Sequence, residues 1–342
     1  MKIRYICISV MFAKAQEGKP MKHPVLKAFS LSVVLVVTIL LQSMEAGSVK
    51  RIGILAFSEE TRYMEATKGV IDQLKKEGFA GPGVKFIKEN AGGNKAKAAE
   101  LVRKFSAARM DLLVTLGTSA TVAVSREIND VPIVFSVVYD PVEVGIAKGW
   151  KSSGNNTTGA STKLPMSMIL DSLKALAPVR KLAVLYCPTE KNSEAQLRDL
   201  QEIREKYQVR IIPVPVTEKE EILQILPEVV RTSEAIFITG SNLVNSQLSA
   251  IVDAATKAKV ITISHLEDLV EKGVLLGVCA NSYELGRLAG EKAASVLSGA
   301  KPSSIPIEKA KKLDVIVNMR TAKAGQFRIS PEFLETATRI IE

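Results

Sequence analysis

Small polar residues cluster at a few points along this 342-residue chain, each where an apolar run ends. Gly117-Thr118-Ser119-Ala120 opens a helical stretch. Thr118 or Ser119 can cap that helix, and free N–H groups at a helix start favour an anion such as a carboxylate. A plain structural cap uses the same residues, so both readings stand. Asp140, before Pro141 in Tyr139-Asp140-Pro141-Val142, can pair with a ligand ammonium or cap the following turn. Ser58-Glu59, Ser241-Asn242, Ser264-His265 and Asn281-Ser282-Tyr283 complete the set, with Pro188-Thr189-Glu190 after Cys187. Hydroxyls, amides and a few carboxylates can hydrogen-bond a small polar ligand without reacting with it. Tyr63, Tyr139 and Tyr283 are the nearest residues able to stack on one.

Reactive chemistry has little support. The chain has two histidines, His23 near the start and His265, so a Ser-His-Asp set would have to use His265. No GxSxG elbow is present, and His265 reads as a loop hydrogen-bonding residue. No GxGxxG follows the first apolar run and no GxxxxGK[ST] occurs, so a nucleotide cofactor is not expected. The three cysteines have no CxxC or Cys/His metal spacing, and no metal is expected. Cys187 and Cys279 are either two buried thiols or, in an oxidising compartment, a disulfide.

The elements that must position these loops alternate. RIGILAF (51–57), VKFIKEN (84–90), DLLVTLG (111–117) and VPIVFSVV (131–138) have strand length and little or no polar alternation. Between them, 62–77, 94–109 and 118–127 read as helices. The pattern restarts with a helix at 165–177 and strands at 181–187, 209–216, 235–240, 260–264 and 273–279, separated by helices at 192–207, 219–231, 244–258 and 266–272. A helix at 283–298, strand-like 304–308 and 313–318, and a C-terminal helix follow. Apolar runs alternating with amphipathic helices predict βαβ units and parallel sheets buried on both faces. Two such series predict an α/β chain with two doubly wound sheets. The turn-rich Gly154-Asn155-Asn156-Thr157-Thr158-Gly159 marks a crossing between them. In such sheets ligands sit beyond the carboxyl ends of the strands, where the polar loops lie.

Composition agrees with two lobes. The chain is too long for one core, and aromatics make up 5%, so the core must be aliphatic. Net charge is +10, of which +4 lies in the first 46 residues. The other basic residues are mixed with Asp and Glu, which argues against nucleic-acid binding. The uncharged run AFSLSVVLVVTILL (28–41), preceded by Lys22, His23 and Lys27 and followed by Ala46-Gly47-Ser48, reads as a signal peptide over about 21–48. It is shorter than the ~20 residues that span a bilayer comfortably. Met21 is the better start, with residues 1–20 an over-extended gene start. No cysteine follows the apolar run, so a soluble product cleaved near Ala46 or Ser48 and located in the periplasm is expected.

The segments GTSATVAV (117–124), VPIVFSVVYDPVEVGIAKGW (131–150), NNTTGAST (155–162), LAVLYCPTEKNSEAQL (182–197), SNLVNSQLSAIVDAATKAKVITIS (241–264), VLLGVCANSYELGRLAGEKAASVLSGAKPSSIPIE (274–308) and VIVNMRTAKAGQFRISPEFL (315–334) resemble the ABC transporter substrate-binding protein family that includes tryptophan-binding proteins. The resemblance implies a type I periplasmic binding fold whose lobes are joined by a three-crossing hinge. One lobe is then 49–158 plus 282–310, the other 159–281 plus 311–342. It also implies a monomer holding a small polar ligand, with an amino acid as the first expectation, in the interlobe cleft for the membrane permease of an ABC importer. Carried onto this chain, the ligand-binding residues would be Ser58, Glu59, Thr118, Ser119, Ala120, Tyr139, Asp140, Ser241, Asn242, His265, Asn281 and Tyr283. Amino-acid-binding relatives tend to have an acidic residue near Ser241-Asn242, and this chain has none there in sequence. A ligand sensor for a membrane kinase or chemoreceptor is the alternative, and an exported enzyme using His265 is the third reading.

Overall fold

A computed structural model describes residues 49–342; the expected signal peptide lies outside them. The aliphatic runs form the inner strands of two sheets. The first contains β1 (Lys50–Ala56), β2 (Val84–Asn90), β3 (Leu112–Leu116), β4 (Ile133–Val138), β5 (Thr157–Ser161) and β11 (Glu308–Lys309), in the order β11-β5-β4-β3-β1-β2. The second contains β6 (Lys181–Tyr186), β7 (Arg210–Pro215), β8 (Ala235–Ile238), β9 (Ile261–Ser264), β10 (Leu276–Cys279), β12 (Asp314–Asn318) and β13 (Arg339–Ile341), in the order β13-β12-β10-β9-β8-β6-β7. Pairing is parallel throughout except between β10 and β12. Every residue of β3, β4, β8, β9 and β10 is buried, as a parallel sheet covered on both faces requires. The expected α/β class with two doubly wound sheets is the one observed.

Helices α1 (Thr61–Lys76), α2 (Lys95–Ala107) and α3 (Thr118–Glu127) connect the strands of the first sheet. Helices α4 (Met166–Leu176), α5 (Lys191–Tyr207), α6 (Lys219–Thr232), α7 (Asn242–Asn245), α8 (Leu248–Ala258) and α9 (Glu267–Glu271) accompany the second. Helix α10 (Ser282–Leu297) returns to the first sheet, where Leu285, Ala289 and Ala293 share a core with Ile52, Val70 and Leu113. It packs on α1 at a distance only small residues allow: a Cβ on Gly286 would stand 2.1 Å from the Ala66 carbonyl oxygen. Short helices α11 (Met319–Ala324) and α12 (Pro331–Thr336) close the second unit. Among these helices none is long and apolar enough to cross a membrane.

Among the described residues the chain passes between the sheets three times: after Ser161, between Cys279 and Ser282, and between Lys309 and Asp314. The first passage comes later than residue 158. Thr157–Ser161, which reads as a turn, is a fully buried strand paired with β4. Hydroxyls and glycine hide its strand character. Asn155 stabilises it locally, because its Oδ1 accepts from the Thr157 N–H at 2.9 Å and hydroxyl at 2.7 Å.

Two other expectations change. The stretch 244–258 is two helices, broken between Asn245 and Leu248. The expected C-terminal helix is two short helices and a final edge strand. Cys187 and Cys279 are buried free thiols. Strands β8 and β9 lie between β6 and β10, which separates the two strand ends by about 14 Å. A disulfide needs Cα atoms within about 7 Å.

Candidate functional site

Parallel order brings the loops after β1, β3, β4, β6, β8 and β9 to one place, between the two sheets. A narrow cavity of about 20 Å3 lies there, lined by Arg62, Tyr63, Thr118, Ser119, Val137, Tyr139, Thr162, Asn192, Gln196, Gly240, Asn242, His265 and Leu266. It offers room for about one water molecule. A crevice of about 270 Å3 adjoins it through Thr118, Ser119 and Asn192, and one of about 250 Å3 through Arg62.

The wall from the first sheet carries positive potential. Gly117, before α3, has φ 92° and supplies no capping side chain. The first-turn N–H groups therefore face the cavity beside Thr118 and Ser119 with the positive end of the helix dipole. A Cβ on Gly117 would stand 2.7 Å from the Tyr63 hydroxyl oxygen, so glycine serves both the backbone turn and the seat of that ring. Arg62, in the first turn of α1, is 2% exposed. Its Nη1 donates to Asp268 Oδ2 at 2.7 Å. Its Nη2 has no hydrogen-bond partner among the described residues, although Glu60 Oε1 stands 3.4 Å away. Burial works against the guanidinium charge, but Asp268, Tyr63 and Glu60 together outweigh it and hold the group firmly protonated. Val137 has φ 57° where β4 loses register with β5. That conformation is rare for a β-branched residue and stores roughly 1–3 kcal/mol of strain at the cavity edge.

The wall from the second sheet is built of amides. Asn192 Nδ2 donates to the Gly240 carbonyl at 2.8 Å, and the Gly240 N–H donates to Gln196 Oε1 at 2.8 Å. Gln196 Nε2, Asn242 Oδ1 and His265 Nδ1 are buried without partners among the described residues. Such atoms cost roughly 1–3 kcal/mol each when left unmet. Burial, then the charge of Arg62, pushes the His265 imidazole down to about 3, so it is neutral at physiological pH. It stacks against Phe237 and meets Tyr139 edge-on at 5.5 Å. A neutral, packed imidazole with no adjacent acid is a hydrogen-bonding group.

Of the residues expected to bind ligand, Thr118, Ser119, Tyr139, Asn242 and His265 meet at this cavity. The others lie elsewhere. Asp140 does not face the cavity. Its Oδ2 accepts from Lys163 Nζ at 2.6 Å and its Oδ1 from the N–H groups of Val142 and Glu143. Burial raises the Asp140 carboxyl, but Lys163 and those N–H groups outweigh it and leave the acid strengthened. An ammonium partner is thus already supplied from within the chain. Ser241 is fully buried and caps α7, and Ala120 packs in the first core. Glu59 is exposed, and Ser58 lines a separate groove beside α1. Asn281 caps α10, and Tyr283 donates to Asp72 at 3.2 Å.

The acidic residue absent near Ser241-Asn242 in sequence is present in space. Glu190, 7% exposed, accepts from Ser241 Oγ and the Leu243 N–H through Oε1, and from the Asn242 N–H and Nδ2 through Oε2. Four donors occupy this carboxylate and fix the loop that presents Asn242. Sequence reasoning passed over Arg62, Asn192 and Gln196 because each lies on a helix that otherwise reads as a solvated charged face. The available signal was position: Arg62 and Asn192 each stand in the first turn after a strand.

A family model described as "ABC transporter substrate binding protein" matches residues 51–341. The chain is 29% identical over 278 residues to a tyrosine-binding protein of Clostridioides difficile (strain R20291), covering 80% of each. It is similar to an ABC domain from Streptococcus pneumonia solved in complex with L-Trp: TM-score 0.81, 26% identity, 86% of this chain and 100% of that one. It is also similar to a ligand-free, open substrate-binding protein with adhesive properties from Clostridium difficile: TM-score 0.69, 27% identity, 86% of this chain and 99% of that one. At nearly the same identity, the ligand-bound structure superposes better than the open one. The narrow central cavity agrees with a closed arrangement of the two sheets.

Proposed function

The chain belongs to the ABC transporter substrate-binding protein family, and from that premise we propose that it captures an aromatic amino acid between its two lobes. The lobes in this reading are residues 49–161 with 282–309, and 166–279 with 314–342. The observation that carries the reading is a set of buried, unmet polar atoms on residues that line one cavity: Arg62 Nη2, Gln196 Nε2, Asn242 Oδ1 and His265 Nδ1. Donors dominate near α3, where Arg62 and the first-turn N–H groups suit a carboxylate. Asn242 Oδ1 and the hydroxyls of Thr118 and Ser119 can accept from an ammonium. The relatives that bind tyrosine and L-Trp support the aromatic class. A cavity of 20 Å3 cannot admit such a ligand unless the lobes part, so binding proceeds by opening and closure. In this reading the protein is exported, released from its leader in the periplasm, and delivers its ligand to the membrane permease of an ABC importer.

Isothermal titration of the purified mature chain with L-tyrosine, L-tryptophan, L-phenylalanine, L-leucine and L-glutamate tests the proposal. Micromolar or tighter binding of an aromatic member, with weaker binding of the last two, is expected. Heat signals absent from every aromatic amino acid would overturn it.

A further inference from the structure

Arg62 and Asp268 are 206 residues apart in sequence and belong to opposite lobes. Arg62 stands on α1, beside the first sheet; Asp268 stands on α9, beside the second. Both are 2% exposed, and their 2.7 Å contact lies in the crevice of about 250 Å3 that adjoins the central cavity through Arg62. Lys272 is 3.9 Å from the same carboxylate oxygen but is half exposed, so Arg62 is the main partner. The Arg62 guanidinium also lies 4.9 Å over the Tyr63 ring, which fixes its plane. One nitrogen of the fork is thus committed to the opposite lobe, while the other makes no hydrogen bond among the described residues, has Glu60 Oε1 at 3.4 Å beside it, and belongs to a residue that lines the central cavity.

We propose that Arg62 reads the ligand's carboxylate with Nη2 and, through Nη1 and Asp268, turns that contact into closure of the lobes. The inference rests on the functional reading above. A buried ion pair by itself roughly breaks even, because desolvation offsets attraction. When the lobes part, both groups regain water, so the pair alone biases closure only weakly. A carboxylate on Nη2 adds a second charge-assisted bond to a guanidinium that is already desolvated and oriented. That bond has full strength only in the closed form, which gives the ligand the differential affinity that any population shift requires. Asp268 does not line the cavity. It is therefore a positioning residue, and its effect on affinity must pass through Arg62.

The test uses the mature chain, L-tyrosine as probe, titration calorimetry for affinity, and X-ray scattering for the radius of gyration with and without probe. Wild type is expected to bind and compact. Asp268→Asn should bind about 30-fold or more weakly, as loss of one partner of a buried charge pair implies, and should have a larger ligand-free radius. Arg62→Gln should lose more, and the double variant Arg62→Gln/Asp268→Asn no more than Arg62→Gln alone. Arg62→Lys keeps the charge without the fork, and intermediate affinity is expected. Circular dichroism checks that each variant folds; if Asp268→Asn does not, Arg62→Lys alone decides, and wild-type affinity there overturns the proposal. Wild-type affinity and radius in Asp268→Asn, or additive losses in the double variant, also overturn it. If wild type binds no aromatic amino acid, the functional reading fails separately. The ligand half of this proposal then falls with it, and an unchanged ligand-free radius in Asp268→Asn removes the rest.

Discussion

Two charge clusters sit within the same interlobe region, and they are built differently. At the first crossing, Lys163 donates to Asp140 at 2.6 Å and lies 3.1 Å from Asp199, while the Tyr139 hydroxyl donates to Asp199 at 2.7 Å. None of these groups is left with an unmet polar atom among the described residues. Around Arg62 the opposite holds: Nη2, Asp268 Oδ1, Glu60 Oε2 and His265 Nδ1 are all buried and unmet. A satisfied network rigidifies, whereas unmet buried groups carry a cost that a ligand can remove. The first cluster is therefore read as the pivot on which the lobes turn, and the second as the surface that waits for a ligand.

Three perturbations test that contrast, the largest first. Lys163→Met should leave buried Asp140 and partly exposed Asp199 uncompensated. A loss of about 3 kcal/mol is expected, or roughly 6–12 °C in Tm, measurable by calorimetry; an unchanged Tm would break the assignment of this cluster as structural. The sign for Asp140 follows from its strengthened acidity: its stabilisation is present above the ordinary carboxylate value and is lost as pH falls through the lowered one.

His265 gives a smaller effect at neutral pH, one that grows as the solution is acidified. Its folded value is held down at about 3, so the unfolded chain binds an extra proton below about 6.5. Stability should fall by about 1.4 kcal/mol for each pH unit between 6.5 and 4. His265→Gln should flatten that part of the profile in a denaturant titration series. An equal acid slope in the variant would mean that other groups govern it.

Ser119→Ala gives the smallest change in stability. The residue lines the cavity and is not required as a cap, so ligand-free stability should move by less than about 0.5 kcal/mol. Affinity for the aromatic amino acid should fall by about 3- to 10-fold, the worth of one hydrogen bond. A fall in Tm without loss of affinity would place Ser119 with the structural cluster instead.

The alternation of strands and helices was legible from residue 50 onward because βαβ units announce themselves in continuous aliphatic runs and helical periodicity. The passages after Cys279 and Lys309 were expected through the family resemblance. Thr157–Ser161 escaped because its hydroxyls are buried by pairing with β4, which no local pattern reports. Loop position after each strand pointed to Thr118, Ser119, Tyr139, Asn242 and His265, which line the central cavity. It could not report that Asp140 is taken up by Lys163 of the crossing segment, nor that Arg62, paired with Asp268 beside the other sheet, and Gln196 line the same cavity.

What the sequence alone determined is the class of structure and the kind of chemistry: two parallel sheets, polar loops at their carboxyl ends, and no motif for reaction or cofactor. Those follow from hydrophobic period and residue type, which are local. Which charges face a ligand was decided only by tertiary structure. Asp140 and Glu190 are acids taken up by Lys163 and by the donors of 241–243, while Arg62 keeps one nitrogen unmet beside the cavity. Charge pairing is set by distance across the fold, and residues 206 positions apart have no local pattern through which to declare it.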